Sequence, residues 1–221
     1  MHTNTMQLQR LLEAKDFFTE DEVKNMLKEC GIPVPKFQIV EDIEKMELEV
    51  KFPVAVKVCS PHILHKTDVG GVRLDIGNKE ELYKVLKEFK KKFPEAKFLI
   101  EEMQKRGIEV IAGLMNDKFF GMSIMVGMGG IFAEMYKDVS FRLVPIQRED
   151  AREMLYDLKA RELFTGFRGM KPDVDALIDL LLALSAFGEK YEKYINQMDL
   201  NPIFLYEEGL VVIDAKLMKG E

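Results

Sequence analysis

Between Pro53 and Met103 the chain alternates in character: "FPVAVKVCS" and "GVRLDIG" are β-branched, apolar runs, residues 79–92 repeat apolar side chains at helical spacing, and "KFLIEEM" is strand-like again. Such an order must lay its helix across one face of a sheet, so this half forms an α/β layer. Upstream, residues 20–30 carry Val23, Met26 and Leu27 on one helical face and stop at Gly31, before an Ile32-Pro33-Val34-Pro35 stretch that cannot continue a helix. Downstream, "IEVIAGLMND" and "FFGMSIMVGMGG" read as an antiparallel hairpin turning at Asn116-Asp117. After "VSFRLVPI", helices are expected over 149–158 and from 173 to about 194, the second with Val174, Leu177, Ile178, Leu181 and Leu184 as a core-facing stripe. Two strands, "DLNPIFLY" and "GLVVIDAKLM", close the chain, and residues 1–15 read as an appended extension, helical or loose.

With 221 residues, 47% of them apolar, the chain can bury a sizeable core. A formal net charge of -6 argues against a nucleic-acid partner, which would demand a concentrated basic face, and the Lys90-Lys91-Lys92 run reads as a solvated helix end. The most apolar region, 176–187, is short and broken by Asp179, and no leader pattern precedes it, so a soluble, cytoplasmic protein without a membrane partner is expected. The two cysteines, Cys30 and Cys59, match neither zinc nor redox spacing and read as free buried thiols.

Four features carry chemistry. Lys57 stands in the middle of an apolar strand, where an ammonium is costly unless it reaches water or an anion; snorkelling from an edge strand is the alternative. The loop "HKTDVGGV" offers Lys66 and the bare amides of Gly70 and Gly71 to a phosphate chain, or is simply a hairpin turn; it lacks the lysine-serine ending and helix of a P-loop. Glu101 and Glu102 end a strand and Glu109 opens the next, which singly would read as solvent-facing carboxylates. Finally, a turn centred between Glu207 and Glu208 would set Asn201 opposite Asp214, with Ile203, Leu205, Leu210 and Val212 on the same face. Facing Cβ atoms lie about 4.5–5.5 Å apart, a span that one Mg²⁺ with nucleotide phosphates can bridge, although a one-residue slip would separate the two groups. A polar pair at a strand end is the plain alternative. The "GMGG" stretch at 127–130 is not a dinucleotide fingerprint, because Phe132 falls where the third glycine belongs.

The stretches "GIPVP", "FPVAVKVCSPHILHKTDVGGVRL", "LIEEM" followed by Glu109, "GMGGIFAEMYKDVSFRLVPI" and "DLNPIFLYEEGLVVIDAKL" together resemble the ATP-grasp nucleotide-binding fold. Within it they resemble the β subunit of ADP-forming acetyl-CoA synthetase, a relative of succinyl-CoA synthetase; the resemblance covers roughly residues 16–218. It implies an α/β (α+β) fold of two subdomains with the nucleotide held between two sheets, here 16–99 with the glycine-rich lid and 100–221 with the metal site. It implies that Lys57 binds nucleotide phosphates, that Lys66, Gly70 and Gly71 belong to the lid, and that Glu101, Glu102 and Met103 line the adenine and ribose side. By the same resemblance Glu109 orders nucleotide and metal, Asn201 and Asp214 ligate Mg²⁺, and Glu134, Asp138 and above all Arg142 face the transferred phosphate, a salt bridge between Asp138 and Arg142 being the alternative. His65 would be the phosphate carrier and His62 a packing residue. A neutral imidazole is nucleophilic near neutral pH, and its N–P bond is labile enough to pass the group on.

The implied cofactors are ATP or ADP and Mg²⁺. The implied partner is an α subunit holding the CoA and acyl-phosphate sites, in an α2β2 acid–thiol ligase that runs acyl-CoA + ADP + phosphate to acid + CoA + ATP. A stand-alone ATP-grasp carboxylate ligase, or a nucleotide-binding regulatory module without transfer, would use many of the same residues.

Overall fold

The computed structural model describes residues 2–61, 63, 66–130, 138–166, 169 and 171–220, without the side chains of 2–7. Its contacts group into two units, one of residues 19–21 and 35–105, the other of residues 1–18, 22–34 and 106–221.

The first unit is a four-stranded antiparallel sheet. Its strands are β1 (Phe37–Val40), β2 (Val54–Cys59), β3 (Val72–Ile76) and β4 (Lys97–Glu102), ordered β1-β4-β2-β3. Helix α3 (Lys79–Lys92) is started by Asn78, whose side chain accepts from Glu81 N at 3.0 Å, and it ends in Lys90, Lys91 and Lys92 beside the negative end of its dipole. Its Leu82, Val85, Leu86 and Phe89 are buried in one cluster with Val54, Val56, Val58, Phe98 and Ile100. Strand alternation therefore turns Ala55, Lys57, Cys59 and Glu101 to the other face of the sheet.

The second unit contains α1 (His2–Ala14), most of α2 (Glu20–Glu29), strands β5 (Ile108–Asp117), β6 (Gly121–Met128), β7 (Val139–Leu143), β8 (Ile195–Leu205), β9 (Leu210–Val212) and β10 (Ala215–Lys219), and helices α4 (Arg148–Asp157) and α5 (Val174–Tyr191). The sheet order is β10-β8-β5-β6-β7, with β9 also paired to β8, and every pairing is antiparallel. In α5 the expected stripe is realised: Leu177, Ile178, Leu181 and Leu184 are buried, Val174 packs at the margin, and Gly188 lets the helix approach the strands, since a Cβ there would sit 2.9 Å from the Leu114 side chain.

Three expectations change. The division after residue 99 cannot stand, because β4 runs to Glu102 and pairs with both β1 and β2; the boundary follows Lys105. Of the two readings of residues 1–15 the helical one is realised, but the helix is not merely appended: α1 buries Leu8 and Leu12 in the same core as Val23, Met26 and Leu27 of α2 and the strands of the second unit. The hairpin turns at Lys118–Phe120 rather than at Asn116-Asp117, since Asp117 pairs with Gly121 and its carboxylate accepts from the amides of Phe119 and Phe120. Among the described residues no helix is long and apolar enough to cross a membrane.

Candidate functional site

The sheet of the first unit holds a buried ionic cluster. The Lys57 ammonium lies 2.7 Å from Glu101 Oε1 and 2.7 Å from Glu20 Oε1, while the other oxygen of Glu20 pairs with Lys66. All four residues are at most 8% exposed. The sequence pointed to Lys57, Lys66 and Glu101; the structure brings them together and adds Glu20, which the sequence reading missed. Glu101 and Lys57 meet because Ala55 is the register partner of Glu101, leaving the two charged side chains diagonal on one face. Beside them the Cys59 thiol donates to Asp21 Oδ1 at 2.9 Å, and burial, reinforced by Asp21, pushes it up to about 12. It is thus an inert buried thiol, as expected, whereas Cys30 is only half-buried.

The loop that follows works differently from the expectation of bare amides. Gly71 N donates to Lys66 O at 2.7 Å and Gly70 N to Thr67 O at 2.9 Å, so both glycine amides are spent inside the turn. Glycine is required by shape instead: Gly70 has φ of +61°, and a Cβ on Gly71 would lie 3.1 Å from Lys66 O. Glu102 is half-buried and accepts from Lys51 N at 3.0 Å, and Met103 N donates to Pro53 O at 2.9 Å. His62, His65 and Glu134 lie outside the described residues.

In the second unit the strand pairing realises the register read from the turn. Ile203 faces Val212 and Leu205 faces Leu210; beyond them Asn201 N donates to Asp214 O at 3.0 Å, and Leu200 faces Ala215. Asn201 is therefore opposite Asp214. Asp173 holds this turn in place, accepting from Gly209 N at 2.8 Å with one oxygen and capping α5 through Ala176 N at 3.0 Å with the other. Those two amides hold its carboxyl below the usual range. The expected shared face is not realised: a register shift sets three residues of β8 against two of β5, so Ile203, Leu205, Leu210 and Val212 lie in the core with Leu200 and Ala215, while Asn201 and Asp214 line a cleft with Asp199 and Lys216.

A cleft of about 230 Å³ opens over this pair, lined by Ile111, Met125, Asp199, Asn201, Asp214 and Lys216 among others. Cross-strand register explains its shape. One row runs Lys216, Asp199, Gly113, Met125, Phe141 over five strands, and the bare Gly113 in its centre leaves the floor open, with Asp199 Oδ1 only 3.4 Å from where a Cβ would stand. The neighbouring row, Leu217, Met198, Leu114, Ile124, Arg142, has its first four members buried under the helices. Arg142 thus belongs to the helix-covered side, where it pairs with Asp157 at 2.9 Å and holds that carboxyl below its ordinary range. The structure does not bring it to Asn201 and Asp214. Nor does Arg142 bridge to Asp138, whose carboxylate accepts from the amides of Lys159 at 2.7 Å and Ala160 at 2.9 Å.

Glu109 opens β5 and explains the glycines at 129–130. Gly129 N donates to Glu109 O at 2.8 Å, and a Cβ on Gly130 would fall 2.7 Å from Glu109 Oε2. These glycines make room for a glutamate and do not cradle a dinucleotide. Asp199 and Lys216 were missed by the sequence reading, although each stands two residues from a recognised partner and so shares its face. Among the described residues no three His, Cys, Asp or Glu side chains converge as a self-sufficient metal cage. Asn201, Asp199 and Asp214 nevertheless supply hard oxygens of the kind Mg²⁺ takes when phosphates complete its coordination.

A family model described as an ATP-grasp domain matches residues 9–218. The chain is 42% identical over 224 residues, 95% of either chain, to the β subunit of ADP-forming acetate–CoA ligase II of Pyrococcus furiosus. It is 42% identical over 206 residues to ADP-forming acetate–CoA ligase II of Archaeoglobus fulgidus, covering 91% of this chain and 30% of that longer protein. Among solved structures, it superposes with a TM-score of 0.83 at 36% identity on the dinucleotide-forming acetyl-coenzyme A synthetase 1 of Ca. Korarchaeum cryptofilum. That structure holds coenzyme A and Mg-AMPPCP, with its phosphohistidine segment pointing towards the nucleotide site, and the match covers 97% of this chain and 98% of that one.

Proposed function

From a chain that belongs to the ATP-grasp family, we propose the nucleotide-handling β subunit of an ADP-forming acyl-CoA synthetase, an acid–thiol ligase that acts with an α subunit or an equivalent fused partner. The observation that carries this reading is the facing pair Asn201 and Asp214 in a cleft of about 230 Å³. That volume is below the roughly 300–1,000 Å³ usual for a pocket taking a whole ligand, and suits a metal ion with the phosphates it carries.

Asn201 and Asp214 would hold Mg²⁺ there, with Asp199 beside them. Bound in this way, the ion supplies charge neutralisation to the β- and γ-phosphates, where phosphoryl-transfer catalysis is mostly won. Lys57 binds nucleotide phosphates, and it is held ready by Glu20 and Glu101, whose carboxylates offset the desolvation of its buried ammonium until a phosphate draws on it. Glu101 therefore serves Lys57 first. Glu102 and Met103, which follow it, are assigned to the adenine and ribose side. Glu109, fitted against Gly129 and Gly130, helps to order nucleotide and metal. Arg142 is given no part in the transfer, because it stabilises the packing of α4 on β7 from the covered side of the sheet.

His65 carries the phosphoryl group. A terminal oxygen of ADP attacks phosphorus, the N–P bond breaks as the new P–O bond of ATP forms, and the imidazole nitrogen recovers its lone pair. The acyl phosphate and CoA are handled by the partner, in an α2β2 assembly in the cytoplasm where these substrates occur.

The test is acid-labile, base-stable labelling of the chain from γ-³²P-ATP and Mg²⁺, with and without the α subunit, in wild type, His65→Ala and His62→Ala. Label lost only in His65→Ala supports the reading. Transfer unaffected by His65→Ala would favour a stand-alone ligase, and nucleotide binding without any label would favour a regulatory module.

A further inference from the structure

The cleft over Asn201 and Asp214 contains a cation that the reading above does not use. Lys216 stands on β10 directly across from Asp199, two residues from Asp214 on the same face, while Ala215 and Leu217 on either side are buried in the core. Two residues along a strand is about 6.6 Å, so the lysine and Asp214 can act on different oxygens of one phosphate group.

The other basic groups singled out by the sequence are committed elsewhere. Lys57 and Lys66 pair with Glu20 and Glu101, and Arg142 pairs with Asp157. Lys216 is half-buried, and among the described residues its ammonium makes no hydrogen bond or ion pair. It faces Asp199 without bonding to it, because that carboxylate is turned by Gln197, whose Nε2 donates to Oδ2 at 2.9 Å, and by the space above Gly113.

The charges in the cleft explain why a lysine is there. Asp199 and Asp214 with Lys216 leave one net negative charge, which a divalent cation converts to one net positive charge. Without the lysine, the same metal would leave the cleft neutral towards the phosphoryl group in transit, which bound ADP does not yet carry. A preorganised donor with limited access to water is worth most where charge is in transit.

We propose that Lys216 is a catalytic residue for phosphoryl transfer, its ammonium contacting the oxygens of the migrating phosphoryl group on the side away from the Asn201–Asp214 metal pair. This rests on the nucleotide-handling reading above. Lysine donates N–H bonds and point charge only; it takes no proton, and the bonds that break and form remain N–P and P–O.

The experiment uses the chain assembled with its α subunit and compares wild type, Lys216→Met and Lys216→Arg. It reads single-turnover transfer from phosphorylated enzyme to ADP in the presence of Mg²⁺, together with the Kd of Mg-ADP and the melting profile. Lys216→Met should transfer about 10²–10³-fold more slowly than wild type. Its Mg-ADP affinity should hold within about threefold, which a merely structural loss would not spare, and Lys216→Arg, which retains the charge, should recover at least a tenth of the rate. If Lys216→Met unfolds, Lys216→Gln and Lys216→Arg carry the comparison. Transfer within about threefold of wild type in Lys216→Met would overturn the assignment while leaving the subunit's function intact. Wild type that transfers nothing to ADP would overturn both.

Discussion

Glu20→Gln should be among the most damaging single changes in this protein, and the reason can be worked from four side chains. The Glu20 side chain is 1% exposed and accepts from Lys57 and Lys66, and Glu101 also pairs with Lys57. Neutralising Glu20 takes from two buried ammoniums the carboxylate that both of them bond. Breaking a buried pair by removing one partner costs about 3–5 kcal/mol, because the remaining charge keeps its desolvation penalty. At roughly 2–4 °C per kcal/mol for a chain of this size, the melting temperature should fall by about 6–20 °C. The companion Glu20→Gln/Lys66→Met leaves Lys57 balanced by Glu101 and should regain most of the loss, giving a coupling of roughly 2 kcal/mol between the two sites. Because the chain folds as two units, a global melt should be accompanied by amide exchange of β2 and β4, which carry Lys57 and Glu101. A Glu20→Gln protein within about 0.5 kcal/mol of wild type, or a double variant no better than the sum of the singles, would refute the charge argument.

Three further outcomes follow from the same geometry. Asp173→Ala removes both the cap of α5 and the acceptor for Gly209 N, so it should cost about 1–2 kcal/mol in urea denaturation, with Asp173→Asn, which still caps, losing less. Gly113→Ala would put a Cβ 2.5 Å from the Met198 carbonyl oxygen. Since backbone must move to relieve that clash, a loss of about 1–3 kcal/mol and a weaker Mg-ADP affinity are expected, measured by urea titration and calorimetry. The Cys59 thiol is raised from 9.0 to about 12, so on raising the pH through that window the unfolded chain releases its proton while the folded one keeps it. Stability then falls as pH rises, by up to about 1.4 kcal/mol per unit, and Cys59→Ala should flatten that slope between about pH 9 and pH 11; an unchanged slope would count against burial as the cause.

What could be read without the structure was decided over short spans of chain. The stripe of α5 follows from a 3.6-residue repeat and the pairing of Asn201 with Asp214 from a turn centred on Glu207-Glu208, so both were legible and both are observed; the face they share was not, because the register shift in β8 breaks the two-residue strand period. An unusual residue in an ordinary pattern was also legible: Lys57 in an apolar strand marked the buried cluster before its partners were known. The role of Gly70 and Gly71 was less so, because a glycine needed for a positive φ or a close approach looks the same in sequence as one that offers its amide to a phosphate.

Tertiary structure decided the rest. Glu20 reaches Lys57 across 37 positions and Lys66 across 46, a meeting that depends on how the chain closes and leaves no local periodicity to read. Arg142 and Phe141 are adjacent in sequence, yet only the ordering of five strands under α4 and α5 determines that Arg142 is on the covered side while Phe141 shares a row with Asp199 and Lys216. Likewise, α1 joins the core because Leu8 and Leu12 find apolar partners in strands more than a hundred residues away. Sequence determines the periodicity and turn chemistry that each segment carries by itself; which faces meet, and therefore which charges must neutralise one another, is settled only when burial in the assembled fold removes the water that would otherwise screen them.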